Sequence, residues 1–318
     1  MNTRRVPCPV SKELVMRTIH ISDTHLQPLS RRRNSDKLEF LLRRALDEGF
    51  DHLAITGDLT NNADLEGLRA LRDILRGHGL LRSDRTTVVP GNHDIFGTVK
   101  GVSDLLRFPL LCAAVNVGDR LRRLRDVLGD LFEGATFLSP DRPFPFVKTV
   151  QGVSFIGLNS NAAYSKITNL FASQGGIKTE DLDGIGRLLE SQGLSSRPKI
   201  LLAHHGPPKN GRGRGRDREG LLQRLRELGV GAVLHGHIHE MTGGRRDGIV
   251  IANAGASVDN GETDVFHFNE VVYDGRLGLF RVSLRRVARP AEQTSGLSGR
   301  LTARWKAGNK LQTVCEGG

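Results

Sequence analysis

Residues 51–61 read DHLAITGDLTN: a short apolar run, Leu53 to Ile55, flanked by polar residues and broken soon after by Gly57-Asp58. A run this short, with a β-branched residue and no polar alternation, has the signature of a strand buried on both faces. The same grammar occurs on either side. MRTIHIS (16–22) ends at Asp23-Thr24-His25, and TTVV (86–89) ends at Pro90-Gly91-Asn92-His93-Asp94. Between these runs lie helical patterns. Residues 35–49 have a Ser start, apolar residues at helical spacing and a Gly stop, and 62–78 place Leu65, Leu68, Leu71 and Leu75 on one face. Strand and helix alternating at this spacing predict βαβ units in a layered α/β fold.

The second half repeats the pattern. VSFIGL (153–158), KILLA (199–203) and GAVLH (231–235) read as strands, with helices expected at 179–192 and 219–228. Residues 103–131 are rich in Leu and Arg and read as inserted cap helices. The Pro-rich stretch 139–146 reads as a turn region, with a strand resuming at 147–150. From 245 onward the pattern is β, and Asp274-Gly275 marks a hairpin within the C-terminal strands 261–289. The expected organisation is an N-terminal extension (1–15), one domain over 16–289, and a basic Ser/Gly/Thr-rich tail over 290–318.

Composition bounds the function. The chain has 318 residues, 38% of them hydrophobic and 25% charged, an ordinary globular balance. No apolar run approaches the roughly 18–20 residues a membrane helix needs, and the N-terminus lacks the apolar core of a secretory signal. Three widely spaced cysteines, Cys8, Cys112 and Cys315, favour a reducing cytoplasm over a disulfide framework. The formal net charge of +11 raises the question of nucleic acid, but its distribution is local. Segments 1–33, 209–218 and 281–318 carry net charges of +5, +4 and +6, so the remainder of the chain is mildly acidic.

Five polar clusters each follow a strand: Asp23-Thr24-His25, Gly57 to Asn61, Gly91 to Asp94, His204-His205, and Gly236-His237-Ile238-His239. Loops at the carboxyl ends of parallel strands converge, which is where α/β folds bind ligands. Seven of the 11 histidines lie in or beside these clusters. With Asp23, Asp58 and Asn92 they form a mixed imidazole, carboxylate and amide set that suits Mn, Fe or Zn better than Ca or Mg. About seven donors exceed one tetrahedral ion and match two, held roughly 3.5–4 Å apart as in two-metal phosphoryl chemistry. Singly, an Asp or Asn at a strand end is more often a turn former or helix cap, so it is the ordered set that carries the inference.

The order DxH, GDxxN, GNHD, HH and GHxH resembles the calcineurin-like metallophosphoesterase superfamily over about residues 17–260. The resemblance implies a four-layer α/β/β/α sandwich with two divalent or trivalent metal ions. Asp23, His25 and His239 would hold one ion, Asn92, His204 and His237 the other, and Asp58 would bridge them. It implies further that a metal-bridging hydroxide attacks phosphorus while His93 protonates the leaving oxygen, with Asp94 placed to orient that imidazole. In the HH element either His204 or His205 can be the ligand. His204, ending the strand directly, is the better placed, and Gly206 stands where relatives usually carry Pro. NAGAS (253–257) resembles the loop that closes the sheet in relatives. His20 and His52 read as structural, His235 as a support for its neighbours, and Cys112 as a buried thiol.

The arginines read as a rim for an anionic substrate. Arg31 and Arg32 follow the first motif, Arg212 and Arg214 the fourth, and His205 is a further candidate for substrate contact. The expected substrate is a small phosphate ester, foremost a phosphodiester of nucleotide type, as in the cyclic-nucleotide phosphodiesterase branch. A nuclease is the main rival. Against it, aromatic residues are only 5%, which leaves few platforms for stacking single strands. Phosphomonoesterases acting on proteins or small molecules, and a catalytically silent metal-binding interaction protein, complete the alternatives.

Overall fold

The computed structural model describes residues 14–28, 33–99, 102–207, 216–259 and 264–289. In chain order the elements are β1 (Val15–Ile21), α1 (Arg33–Glu48), β2 (His52–Thr56), α2 (Leu65–Gly77), β3 (Thr86–Val89), α3 (Asn92–Ile95), α4 (Val102–Ala113), α5 (Val117–Val127), β4 (Thr136–Ser139), β5 (Arg142–Val150) and β6 (Val153–Gly157). They continue as α6 (Thr179–Ser191), β7 (Lys199–Leu202), α7 (Arg216–Glu227), β8 (Val230–His235), β9 (Met241–Arg246), β10 (Ile249–Ala254), β11 (Val265–Asp274) and β12 (Leu279–Ala288).

These strands form two sheets. The first runs β12-β11-β1-β2-β3, and the second β4-β5-β6-β7-β8-β10-β9. β1, β2 and β3 are parallel, as are β6, β7, β8 and β10, so each sheet presents a row of strand carboxyl ends. The antiparallel hairpin of β11 and β12 extends the first sheet from β1, as the Asp274-Gly275 turn predicts.

The continuous apolar runs follow from double-sided burial, and the side chains alternate accordingly. In β7, Ile200 and Leu202 enter the core between the sheets, while Leu201 turns outward to Leu182, Ile185 and Leu189 of α6 and Leu221, Leu222 and Leu225 of α7. On the opposite side, Leu38, Leu41 and Leu42 of α1 and Leu68, Leu71 and Leu75 of α2 cover the first sheet. The result is the four-layer α/β/β/α sandwich expected from the sequence. Residues 103–131 are largely helical, as read, forming α4, α5 and a short 3-10 turn at Gly129–Phe132.

Two readings are corrected. The 139–146 stretch is not a turn region: β5 begins at Arg142 and runs through Pro143 and Pro145. The prolines are accommodated where the β4–β5 pairing is irregular, with a register shift between Phe137 and Ser139. β9, sequence MTGGRR, had no predicted counterpart and pairs with β10 at the edge of the second sheet. The extension before residue 14 and the tail 290–318 lie outside the described residues, as do Arg31, Arg32, Arg212 and Arg214.

Candidate metal centre

Each of the five clusters begins where a parallel strand ends, and the two rows of carboxyl ends meet. The first sheet supplies the loops after β1, β2 and β3, and the second those after β7 and β8. Backbone hydrogen bonds fix neighbouring loops to one another. The Asp23 N–H donates to Gly57 O at 3.1 Å, His25 N–H to Asp58 O at 2.9 Å, and Gly236 N–H to His204 O at 3.0 Å. Across the sheets, the closing loop donates from Ser257 N–H to Ser22 O at 3.0 Å.

The backbone here is strained in one consistent way. Asp23, His25, Asp58, His237 and His239 all have left-handed φ, between 43° and 75°. Residues held in this sparsely populated region cost free energy and persist only where surroundings over-determine them, as functional sites do. Two motif glycines are required by close approach rather than by φ. A Cβ on Gly91 would overlap the Asp58 carboxylate, and one on Gly236 would overlap Ser22 and Asp23.

The side chains converge on two adjacent foci. Around Asp23, Oδ1 lies 3.2 Å from His239 Nε2 and 4.0 Å from His25 Nε2. Around Asp58, Oδ2 lies 3.2 Å from His204 Nε2, 3.9 Å from His93 Nε2 and 4.0 Å from His25 Nε2. Asn92 Oδ1 is 3.2 Å from His204 Nε2, and the His237 ring packs 5.2 Å from that of His204, centroid to centroid. Asp23, Asp58 and His204 are fully buried or nearly so, whereas the His93 and His239 side chains are 23% and 51% exposed and mark the open side. Asp23 Oδ1 and both ring nitrogens of His25 are buried without a hydrogen-bond partner. Buried polar atoms are rarely left so, because desolvation without a partner is costly. Asp23 Oδ1 and His25 Nε2, which face each other at 4.0 Å without bonding, are arranged for something that sits between them, and the donor set fits a metal ion. The combinations Asp23/His25/His239 and Asp23/Asp58/His204 each bring one ligand atom per residue within 4.8 Å of the others.

The charges follow from burial and proximity. Burial pushes the Asp58 carboxyl upward, but His204, with His93 and His25, outweighs it and holds the group well below the usual carboxylate range. His204 is the converse: burial disfavours its cation, while Asp58 and Asp23 raise it to about 9. His237, desolvated and beside His204, is lowered to about 4.

The structure gives two candidates partners other than those expected. Asp94 does not reach the His93 ring. Its carboxylate accepts from the N–H groups of Gly91 at 2.8 Å, Leu59 at 3.1 Å and Thr60 at 2.8 Å, and from the Thr60 hydroxyl. An unpaired carboxylate at the start of a short helix next to three free amides is drawn to them, so it braces the loops of Asp58 and Asn92. The Asn61 carbonyl instead faces His93 Nδ1, at 3.2 Å. His205 is likewise spoken for: Nε2 faces the Ser173 carbonyl at 3.1 Å and Nδ1 the Ser160 hydroxyl at 3.2 Å. A carbonyl only accepts, so Nε2 carries the proton and Nδ1 accepts from Ser160. Both nitrogens have partners in the fold, although His205 also stands with His204 and His237 in a group whose ligand atoms lie within 4.8 Å of one another, and of the HH pair it is His204 that faces Asp58.

The sequence reading missed one group. After β6, Asn161 donates Nδ2–H to Gly91 O at 3.2 Å and to Asn159 Oδ1 at 2.8 Å, and Ser160 also accepts the His205 N–H at 2.9 Å. The tripeptide Asn159-Ser160-Asn161 thus clamps the GNHD and HH loops together. The strand-end position after VSFIGL was the only signal that could have found it.

The family model for calcineurin-like phosphoesterases matches residues 16–241, and the chain belongs to that family. It is on that ground a metal-dependent phosphoester hydrolase. Among solved structures it is similar to a dimetal phosphatase from Danio rerio, at 12% identity over 86% of this chain and 96% of that one, with a TM-score of 0.54. It is also similar to the purple acid phosphatase PPD1 from yellow lupin (Lupinus luteus), at 14% identity over 89% of this chain and 52% of that one, with a TM-score of 0.51. No curated protein sequence matches the chain. Among the described residues no helix is long and apolar enough to cross a membrane.

Proposed function

We propose that the chain is a two-metal phosphoesterase whose substrate is a small phosphodiester of nucleotide type. The observation that carries this is Asp58 Oδ2, which lies between His25 Nε2 and His204 Nε2 while Asp23 Oδ1 and the His25 nitrogens stay unbonded. Asp23, His25 and His239 would hold one ion, Asn92, His204 and His237 the other, with Asp58 shared between them. When bound, the two cations neutralise charge developing at phosphorus and make a water nucleophilic at neutral pH. The donor set suits Mn, Fe or Zn.

The chain's own residues supply the rest. His93 is anchored by its N–H on Asp58 Oδ1, at 2.8 Å. The Asn61 carbonyl fixes a proton on Nδ1, so Nε2 faces the site, 3.9 Å from Asp58 Oδ2. In the reaction, the water oxygen bonds to phosphorus and the bond from phosphorus to the leaving oxygen breaks. The leaving oxygen takes its proton from Nε2 of the His93 imidazolium, which keeps its Nδ1 proton, and the proton given up by the attacking water restores the charge balance. The unpaired, buried Cys112 accords with a reducing cytoplasm as the place of work.

The test is a screen of the Mn²⁺-supplemented chain against bis(4-nitrophenyl) phosphate, cyclic nucleotides, single-stranded DNA and a phosphoserine peptide. Turnover of the first two supports the reading. Activity on DNA alone makes the chain a nuclease, activity on the peptide alone makes it a protein phosphatase, and no activity on any of them overturns the catalytic assignment.

A further inference from the structure

A cavity of about 720 Å³ lies against the chain that continues from two of the site's loops. Its inner wall is Asn62 with Phe96 to Thr98, the residues that directly follow Asn61 and the one-turn helix α3, which carries His93. Its outer wall is the α4–α5 pair. One hydrogen bond braces the inner wall and a second ties α5 to the residue after Asn62. The Thr98 N–H donates to Asn62 Oδ1 at 3.3 Å, and Arg120 Nη1 donates to Ala63 O at 3.0 Å.

The two sides of this cavity differ in chemistry. One is apolar, with Phe96, Phe108 and Leu111, and Leu111 is 60% exposed although large and hydrophobic. The other carries Arg120 and Arg123, one turn apart on α5. The single carboxylate of the lining, Asp119, is already paired with Arg122. Among the described residues no carboxylate pairs with Arg120 or Arg123, and Arg120 spends one of its five N–H groups on Ala63. Like charges one turn apart on a helix repel each other. Burial, and then Arg123, accordingly depress the Arg120 guanidinium below its ordinary value. Arg120 is partly buried and Arg123 exposed, and an anion placed between the two guanidiniums would relieve their repulsion.

We propose that this cavity is the leaving-group subsite, and that the preferred substrate is a phosphodiester whose leaving alcohol or phenol carries an apolar ring or chain and a second anion held by Arg120 and Arg123. The inference rests on the two-metal hydrolase reading above. A general acid stands on the side where the leaving oxygen departs, and the chain that continues from His93 builds the cavity wall. The apolar side takes the body of the leaving group and the guanidinium side its anion, a carboxylate or a phosphate. A cyclic nucleotide, which has one phosphate and gives it to the metals, leaves the arginines unmatched. Among small phosphodiesters the inference therefore favours open over cyclic ones.

The test uses two esters of equal size, methyl 4-carboxyphenyl phosphate and methyl 4-carbamoylphenyl phosphate, with the Mn²⁺-loaded full chain at low salt. A guanidinium–carboxylate contact in a partly exposed site predicts a kcat/KM about ten-fold higher for the carboxylate ester. Arg123→Gln should bring the ratio within about two-fold. Arg123 is the variant of choice because Arg120 also braces Ala63. In parallel, calorimetry on the metal-free chain compares 4-hydroxybenzoate with 4-hydroxybenzamide, and the acid should bind more tightly only while Arg123 is present. Equal turnover of the two esters, or a preference that survives Arg123→Gln, overturns the subsite while leaving the hydrolase intact. If neither ester is hydrolysed but the acid still binds through Arg123, the hydrolase reading fails and only the anion cavity stands.

Discussion

Asp58 Oδ2 and His204 Nε2 lie 3.2 Å apart, and through this contact a loop of the first sheet meets a loop of the second. The partners set each other's charge: Asp58 is held well below the usual carboxylate range, and His204 is raised to about 9. At neutral pH the metal-free chain therefore holds a buried imidazolium against a carboxylate. A metal ligand must be a neutral imidazole, so loading the site displaces about one proton from His204. Metal affinity should then rise as pH climbs from 6 toward 9. Calorimetry of Mn²⁺ binding at pH 7.5, in buffers of different ionisation enthalpy, reads the proton directly. A proton-neutral binding event would mean that His204 is not a ligand.

Asp58→Ala removes the one carboxylate that faces both foci. Metal content should fall from two ions per chain to at most one, and metal-dependent hydrolysis should be abolished, because neither cation alone can neutralise both sides of the displacement. Metal analysis and a bis(4-nitrophenyl) phosphate assay on the same preparation check this. Full activity in the variant would overturn the two-metal arrangement.

His93→Ala has a different signature. The His93 ring reaches Asp58 only at 3.9 Å and is not needed to complete either metal set. Both ions should stay, while turnover of esters with alkyl leaving groups should fall by about 10² to 10⁴, the range for loss of a general acid. Nitrophenyl esters, whose leaving group needs little protonation, should lose much less. Equal losses on both classes would assign His93 to binding rather than to proton transfer.

The residues that would hold the ions were legible because chemistry confines them. Polar donors at the ends of apolar strands have few other reasons to recur five times in order. The doubly buried strands β2, β3, β7 and β8 were legible for a similar reason, since burial on both faces forces an apolar run. β9 was not: its MTGGRR sequence lies at a partly exposed edge, where nothing requires alternation. Pro143 and Pro145 mimicked a turn because a proline's effect on a ladder depends on which neighbour is irregular, and that is a tertiary fact. The direction of the Asp94 carboxylate and the Asn159-Ser160-Asn161 clamp were hidden because their partners are backbone groups and side chains as much as 70 residues away. Such partners leave no spacing to read.

Asn161 offers a test of that clamp. Its amide holds the Gly91 carbonyl, one residue before Asn92, without facing the metal donors itself. Hydrogen-bond partners of ligand loops commonly affect metal affinity by 10- to 100-fold. Asn161→Ala should therefore weaken the ion held by Asn92, His204 and His237 by about ten-fold, and spare the one held by Asp23, His25 and His239. A two-site metal titration separates them. Equal weakening of both sites would point to general loosening of the fold instead.

His20 predicts how the fold responds to acid. It is fully buried on β1, with Nε2 against the Thr56 hydroxyl at 2.9 Å and Nδ1 against Asn269 Nδ2 at 3.3 Å. The Asn269 amide can only donate, so His20 Nδ1 must accept, Nε2 carries the single proton, and the folded state has no place for a second. Burial first, and then the nearby His235, lower His20 to about 3 from an ordinary 6.5. The unfolded chain gains a proton below pH 6.5 that the folded chain refuses. The stability His20 contributes is thus complete above 6.5 and is lost as pH falls toward 3. Between pH 7.5 and 5 the loss amounts to about 2 kcal/mol from this residue alone. Urea unfolding of the metal-free chain at both values, with His20→Gln alongside, isolates it. The variant should show a pH dependence smaller by about that amount, and an unchanged slope would mean that His20 is protonated within the fold.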